Sequence, residues 1–231
     1  MDINYAEYLI RKTEKDYNLI AEDFSRTRQK VWEEINFLFD RYLKESDRVL
    51  DIGCGNARFY PLFKKHKVKY IGIDNSEKLV KLAKERFPQA DIRKVNTLNL
   101  PFPDYYFDKV YAIAVFHHIP GKHFRKLFLK EVKRVLKNKG LLIITVWKPL
   151  ELEFKWLLFK YTLLKLIGKT KLDFRDVFVP WKGREVERYY HFFSVRELKK
   201  IVKEMGFKII ECGIAKNKKF HRQNIYLVAQ K

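Results

Sequence analysis

Two glycines follow a short apolar segment, in an arrangement typical of a nucleotide-cofactor site. The segment VLDIGCGNARF covers residues 49–59, and its Gly53 and Gly55 stand between a β-branched run and a helix-like stretch. Glycine has no side chain, so the backbone there can approach a ligand closely. Ala57 occupies the third small-residue position, and Asp74 follows roughly 20 residues on, where an acid can bind both hydroxyls of a ribose. The segment therefore predicts a cofactor that contains a nucleoside.

The acidic residue ahead of the glycines, Asp51, distinguishes two such cofactors. A carboxylate at that position would repel the pyrophosphate of a nicotinamide dinucleotide, whereas it would attract the α-ammonium group of S-adenosylmethionine. We therefore expect S-adenosylmethionine. No metal site is expected, because neither Cys54 nor Cys212 has a second cysteine at metal-ligand spacing. Further cofactor contacts are expected from residues at or just after the carboxyl ends of predicted strands, namely Asn75, Asn96, Thr97, Leu98 and Ala114.

The candidate substrate residues lie in three parts of the chain: at Arg28, at the pair His117 and His118, and in the segment RYYH at 188–191. A histidine pair follows the fourth predicted strand, on the ligand side of such a sheet; one ring could act as a general base or an anion-binding donor while the other is packed. The segment RYYH at 188–191 places cations beside aromatic rings, which suits an unstacked nucleobase. The candidate catalytic residues are Arg28, His117, His118, Arg188, Tyr189 and His191.

Two kinds of methyl acceptor conflict with these residues. Methylation at C5 of a pyrimidine generally needs a nucleophilic cysteine, but Cys54 lies inside the glycine segment and Cys212 in a late predicted strand. Methylation of an exocyclic amino group usually uses an NPPY-like turn after the fourth strand, where this chain has AIAVFHHIPG at 112–121. An oxygen or carboxylate acceptor is therefore favoured.

The charge of the chain indicates a polyanionic partner. The 231 residues include 49 Lys and Arg against 28 Asp and Glu, a net charge of +21, and such an excess favours nucleic acid through counterion release. The most apolar long stretch, 151–168, contains several Lys and Glu, so no membrane partner is expected. Two cysteines without a signal peptide indicate the reducing cytoplasm.

Short β-branched runs alternate with helical segments, which predicts an α/β fold with a mostly parallel sheet. The last two strands are joined by too short a link for a crossover and should form an antiparallel hairpin, as in the Rossmann-like seven-stranded class I methyltransferase sheet. A single domain is expected over 1–231, with an N-terminal helical segment at 1–46 and a lid or insert at 149–191. The predicted strands are 48–53, 69–74, 90–96, 106–115, 140–147, 207–216 and 222–231.

The stretch YNLIAEDFSRTRQKVW at 17–32 places polar groups just ahead of this fold. We expect Ser25 to cap a helix that runs on through Val31, Ile35, Leu38 and Tyr42, whose spacing faces a core. Thr27 and Arg28 would then point toward the ligand mouth.

Several of these segments together resemble the tRNA wobble-uridine carboxymethyl methyltransferases, which esterify 5-carboxymethyluridine in the anticodon. They are YNLIAEDFSRTR before the glycines, IAVFHHI after the fourth strand, and DVFVPW with RYYHFF before the last helix. The resemblance covers roughly residues 15–231. The chain departs from the family at Ala57, where glycine is usual, at Asn96, where many methyltransferases have Asp, and in a Lys- and Leu-rich insert at 151–171.

The resemblance implies that the acceptor is a carboxylate, which is already ionised near neutral pH. Arg28 would hold a carboxylate, either that of the uridine or that of the cofactor, with Trp181 and Lys182 nearby. The resemblance also implies tRNA as a partner through its anticodon region, and a small zinc-binding activator protein, for which 90–95 is a plausible sheet edge. Two alternatives stay open, a methyltransferase for a small hydrophobic or carboxylic metabolite and a non-catalytic RNA-binding protein of the same fold.

Overall fold

The computed structural model describes residues 1–148, 152–181, 183, 185–217 and 222–231. The α-helices are α1 Ile3–Leu19, α2 Ala21–Thr27, α3 Phe37–Asp40, α4 Tyr60–Lys65, α5 Glu77–Arg86, α6 Lys122–Val135, α7 Leu152–Leu166 and α8 Val195–Glu204. The strands are β1 Arg48–Ile52, β2 Lys69–Asp74, β3 Asp91–Lys94, β4 Phe107–Ile113, β5 Leu136–Lys148, β6 Asp176–Pro180, β7 Glu187–His191, β8 Lys208–Asn217 and β9 Arg222–Gln230. Short 3-10 turns cover Glu33–Ile35 and Phe116–His118.

The main sheet has seven strands in the order β3-β2-β1-β4-β5-β9-β8. The five strands β3, β2, β1, β4 and β5 pair in parallel, whereas β9 runs antiparallel to both of its neighbours. This arrangement confirms the predicted mostly parallel sheet with an antiparallel C-terminal hairpin. The carboxyl ends of the parallel strands meet at one edge, where ligands bind in open α/β sheets.

Helices cover both faces of the sheet. On one face α6 and α8 bury Phe128, Leu129 and Leu198 against β1, β4 and β5, and on the other face α3, α4 and α5 bury Phe39, Phe63 and Ala83. The buried apolar residues of α5, α6 and α8 recur at intervals of three and four, so each of these helices turns one apolar stripe to the sheet. No helix in the described ranges is long and apolar enough to cross a membrane.

The N-terminal segment differs from the predicted helix. Ser25 lies inside α2 and does not cap a helix; α2 ends at Thr27, and the backbone of the next residue, Arg28, is no longer helical. The reason is tertiary: the Asn56 side chain donates to the Arg28 carbonyl at 3.0 Å, and that carbonyl would accept from Trp32 if the helix continued. The prediction that Ile35 and Leu38 face the core is confirmed, since both are fully buried.

The predicted insert contains regular structure. Its helix α7 packs Phe154, Leu157 and Leu158 against β6 and β7, which form a separate two-stranded antiparallel sheet. This small sheet was not predicted, because β6 ends in Pro180 and the connection to β7 contains Gly183, residue types that are typical of loops. The predicted role of Lys182 lies outside the described residues.

The close packing around Gly53, in the loop after β1, predicts how a substitution there changes stability. Gly53 has φ +68°, and a Cβ there would overlap the Val115 side chain, whereas Gly168 has φ +71° with nothing within 4 Å. Gly53→Ala should lower the free energy of unfolding by roughly 2–4 kcal/mol, the sum of left-handed strain and overpacking. Gly168→Ala should cost only about 1 kcal/mol, for strain alone. Denaturant unfolding measures both variants, and equal losses would contradict the packing argument.

Candidate active site

A cavity of about 1200 Å³ opens at the carboxyl ends of β1, β2 and β4. Its walls come from the loop after β1, from one face of α1, from the segment around α2, and from β7. The elements that sequence reasoning assigned to cofactor and to substrate therefore line one continuous space.

Asp74 fixes the shape of the glycine loop. One carboxylate oxygen accepts from the Gly55 N–H at 2.8 Å and the other from the Ser76 N–H at 2.9 Å. Burial raises the pKa of Asp74, and these backbone donors oppose the rise. Each oxygen keeps a further lone pair for a ribose hydroxyl. Ala57, where the family usually has glycine, adopts φ +54°, so this chain tolerates left-handed strain in the same loop.

Asp51 lies at the bottom of the cavity and is 2% exposed. Its carboxylate accepts from the Tyr70 hydroxyl at 3.1 Å. Burial raises the pKa of Asp51 to about 7, and the charge of Asp74 adds to the rise, while the Tyr70 hydroxyl and the Arg58 charge oppose it. A buried carboxylate of this kind gains from a bound cation, so the site fits the α-ammonium of S-adenosylmethionine.

The predicted nucleoside end is assembled in part. Asn75, Thr97 and Leu98 line the cavity, and the Asn75 side chain accepts from the Thr97 N–H at 3.1 Å. Ala114 also lines it. Asn96 does not: its side-chain oxygen accepts from the Leu98 N–H at 2.9 Å, so the structure uses Asn96 to hold the turn.

The stretch at 17–32 forms hydrogen bonds with Asn56 of the glycine loop, and its own Arg28 lines the cavity. The Asn56 amide is 3.4 Å from both the Ser25 carbonyl and the Ser25 hydroxyl, besides its bond to the Arg28 carbonyl. The Arg28 guanidinium stacks on the Trp181 ring at 4.4 Å and donates to the Thr27 hydroxyl at 2.6 Å. Arg28 and Thr27 line the cavity, as the sequence predicted.

Strand β7 divides the predicted RYYH cluster in two, because successive side chains in a strand face opposite sides. Arg188 and Tyr190 line the cavity, and the Arg188 guanidinium stacks on Trp181 at 4.7 Å and donates to the Tyr190 hydroxyl at 2.8 Å. Arg188 is 8% exposed, and its Nε has no hydrogen-bond partner in the described part of the chain. The guanidinium groups of Arg28 and Arg188 therefore both stack on the Trp181 ring.

Tyr189 and His191 face away from the cavity, which corrects their predicted substrate role. His191 lies between two carboxylates, with Nδ1 at 2.6 Å from Asp176 and Nε2 at 2.8 Å from Glu197. The Tyr189 hydroxyl accepts from Arg125 at 3.1 Å. These groups tie β6 and β7 to α6 and α8 in a buried polar network, so their contribution is to stability.

The histidine pair lies at the cavity, as predicted; His117 is buried and His118 is half-buried. Burial lowers the pKa of His117 well below its usual range and that of His118 to about 3, with the Arg188 charge adding in both cases. His118 Nδ1 is 2.9 Å from the Tyr189 carbonyl, and its Nε2 is 2.9 Å from the Tyr17 hydroxyl. The Trp147 N–H donates to His117 Nδ1 at 3.3 Å.

Sequence reasoning missed residues that α1 brings to the site. One face of that helix lines the cavity with Ile10, Thr13, Glu14 and Tyr17. Their spacing of three and four residues is the signal that could have identified them, since it places them on one helix face. Trp147, at the end of β5, was also missed, and it separates the cavity from α7.

Comparison with known proteins agrees with this geometry. Residues 50–144 match the model of a family described as a methyltransferase domain. The chain is 30% identical over 253 aligned positions to the tRNA (carboxymethyluridine(34)-5-O)-methyltransferase of Schizosaccharomyces pombe, and the alignment covers 100% of both chains.

Two solved structures share the fold. A SAM-dependent methyltransferase of Methanosarcina mazei superposes with a TM-score of 0.73 at 22% identity, over 87% of this chain and 98% of that one. A putative methyltransferase in complex with the Haloferax volcanii Trm112 methyltransferase activator superposes with a TM-score of 0.69 at 14% identity, over 94% and 96%. The relative from Schizosaccharomyces pombe aligns over the full length of the chain, and the cavity carries Asp51 and Asp74. The chain therefore belongs to the tRNA (carboxymethyluridine(34)-5-O)-methyltransferase family and is an S-adenosylmethionine-dependent methyltransferase.

Proposed function

We propose that the protein methylates the carboxylate of 5-carboxymethyluridine at the wobble position of tRNA. The observation that carries the proposal is that two arginines, Arg28 and Arg188, and two neutral, hydrogen-bonded histidines, His117 and His118, line the same cavity. We call the part of the cavity that these four residues line, where the methyl acceptor would bind, its acceptor end. Such a site binds an anion and does not offer an imidazole base.

The hydrogen bonds define the protonation of both rings. A carbonyl can only accept, so His118 carries its proton on Nδ1, and its Nε2 is occupied by the Tyr17 hydroxyl. A backbone N–H can only donate, so His117 Nδ1 is the acceptor and its proton is on Nε2. Neither ring has a free basic nitrogen in this arrangement. An acceptor that needs no deprotonation, such as a carboxylate, suits the site.

The arginines would hold and orient that carboxylate. Guanidinium groups bind carboxylates through two parallel hydrogen bonds, and the Nε of Arg188 is a buried donor without a partner in the described residues. Stacking of Arg28 and Arg188 on Trp181 fixes the planes of both groups. Bound S-adenosylmethionine supplies an electrophilic methyl group on sulfur. The chain's task is to align one carboxylate oxygen with that methyl at about 3 Å and to exclude water.

The charge pattern supports tRNA over a small metabolite. Besides the net charge of +21, exposed Arg26, Lys30 and Arg86 stand at the rim of the cavity, where phosphates that flank an inserted nucleotide would pass. We also place the protein in the cytoplasm, which agrees with its two free cysteines.

A small zinc-binding activator is proposed as a second partner. Strand β3 is an edge strand of the main sheet, and Asp91, Arg93 and Lys94 on it are exposed. An edge strand offers unpaired backbone groups to another chain. The fold neighbour in complex with the Trm112 activator supports a partner of this class.

Cofactor binding should be coupled to the protonation of Asp51. Because the pKa of Asp51 is raised to about 7, its carboxyl is protonated in much of the free protein below that pH. The ammonium group of the cofactor favours the charged carboxylate, so binding lowers this pKa and releases a proton.

We therefore expect the Kd for S-adenosylmethionine to rise as pH falls below about 7, with a slope that approaches tenfold per pH unit. Calorimetry in buffers of different ionisation enthalpy, between about pH 5.5 and 8, measures the affinity and the proton release together. Asp51→Asn should bind weakly with a flat profile. An affinity of the unaltered protein that is constant over this range would contradict the linkage.

Methyl transfer tests the proposed acceptor. Purified protein, with and without a zinc-binding activator, is incubated with labelled S-adenosylmethionine and total tRNA, and the nucleosides are analysed by mass. We expect an alkali-labile methyl ester on a modified wobble uridine. No labelled tRNA under either condition, with cofactor still bound, would reject the proposal and favour a small carboxylic acceptor.

Arg188→Lys tests the arginine's part in the same assay. Lysine keeps the charge but loses the planar pair of donors, so we expect kcat/KM for tRNA to fall roughly 10- to 100-fold with little change in cofactor affinity. Arg175→Lys is the matched control, because Arg175 lies just before β6, is exposed, and is outside the cavity. Equal activity of the two variants would show that Arg188 does not contribute to binding of the methyl acceptor.

A further inference from the structure

Helix α1 reaches the acceptor end of the cavity through Tyr17. The helix lies against β7, where Lys12 pairs with Asp16 at 2.7 Å and donates to the Glu187 carbonyl at 2.6 Å. One turn further on, the Tyr17 ring packs edge-on against His118, with centroids 5.3 Å apart. A residue of the N-terminal helix therefore touches the histidine pair directly.

The direction of the Tyr17 hydrogen bond follows from its neighbours. His118 Nδ1 must donate to the Tyr189 carbonyl, so His118 Nε2 can only accept, and the Tyr17 hydroxyl must be its donor. The one proton of that hydroxyl is therefore committed to His118. Toward any other neighbour, the Tyr17 oxygen can therefore only accept a hydrogen bond.

Those other neighbours include the acceptor-binding arginine. Arg188 and Tyr190 both lie close enough to the Tyr17 hydroxyl to shift its pKa, which burial raises far above the usual tyrosine range. Arg188 donates to the Tyr190 hydroxyl at 2.8 Å, and the Tyr190 ring packs at 4.4 Å from the His118 ring.

We propose that Tyr17 is a positioning residue for the methyl acceptor: by donating to His118 Nε2 it fixes the imidazole on which the Tyr190 ring packs, and the Tyr190 hydroxyl in turn accepts from the Arg188 guanidinium. His118 is then the anchor of this chain of hydrogen bonds, which ends at a backbone carbonyl of β7. The kinetic consequence rests on the proposed function, whereas the hydrogen-bond direction does not.

The kinetic test compares Tyr17→Phe with Tyr8→Phe. Both changes remove one hydroxyl from α1, but Tyr8 is 50% exposed and outside the cavity. For Tyr17→Phe we expect KM for the tRNA acceptor to rise about tenfold, the effect of one lost hydrogen bond, with Kd for S-adenosylmethionine within about twofold of the unaltered protein. Tyr8→Phe should change neither. Unchanged KM in Tyr17→Phe, or an equal loss of cofactor affinity, would overturn the proposal.

A spectroscopic test needs no methyl acceptor, and its deciding measurement uses only the unaltered protein. In the protein labelled with ¹⁵N-histidine, we expect His118 to show a protonated Nδ1 and a bare Nε2 that accepts a hydrogen bond. In Tyr17→Phe the Nε2 resonance should move to the position of an unbonded nitrogen. A proton on His118 Nε2 in the unaltered protein would refute the inference, whatever the substrate. Failure of methyl transfer to tRNA with the expected His118 spectrum would instead reject only the proposed function.

Discussion

The hydrogen bond from the Asn56 side chain to the Arg28 carbonyl joins the two halves of the site. Asn56 belongs to the glycine loop that follows β1, and it is 1% exposed. By occupying that carbonyl it ends α2, which turns the chain so that Arg28 stacks on Trp181. The loop that would hold the cofactor and the arginine that would hold the acceptor are thus fixed by one amide. Their separation can then be kept constant, which in-line methyl transfer requires.

Much of the fold could be predicted because its signals are local. Apolar β-branched runs, helix caps such as Ser76 and Ser194, and the short link before the last strand each determine their own element. The cavity position of Asp51, Gly53, Gly55 and Asp74, the residues predicted to bind the cofactor, could also be predicted, because parallel strands bring their last residues to the same edge of the sheet. These features depend on few long-range contacts.

The rest depends on tertiary contacts that spacing does not reveal. The break after α2 is caused by a side chain 28 residues away, so the local pattern still indicated a helix. The division of the RYYH segment requires knowing that it is a strand, since only then do Arg188 and His191 face opposite sides. Asn96 has a residue type suited to binding, but its oxygen is used by the turn itself. The residues that sequence reasoning misplaced are therefore those whose contacts depend on distant parts of the chain.

The central claim is that the pocket accepts a nucleophile that is already ionised, because both imidazoles are neutral and their basic nitrogens are occupied. The most direct measurement is the single-turnover rate of methyl transfer to tRNA as a function of pH, with S-adenosylmethionine saturating at every point. The account predicts a rate that is flat from about pH 6.5 to 9, because a carboxylate is fully ionised throughout. A logarithm of the rate that rises with unit slope through this range would show that a proton must be removed from the acceptor, and would contradict the account.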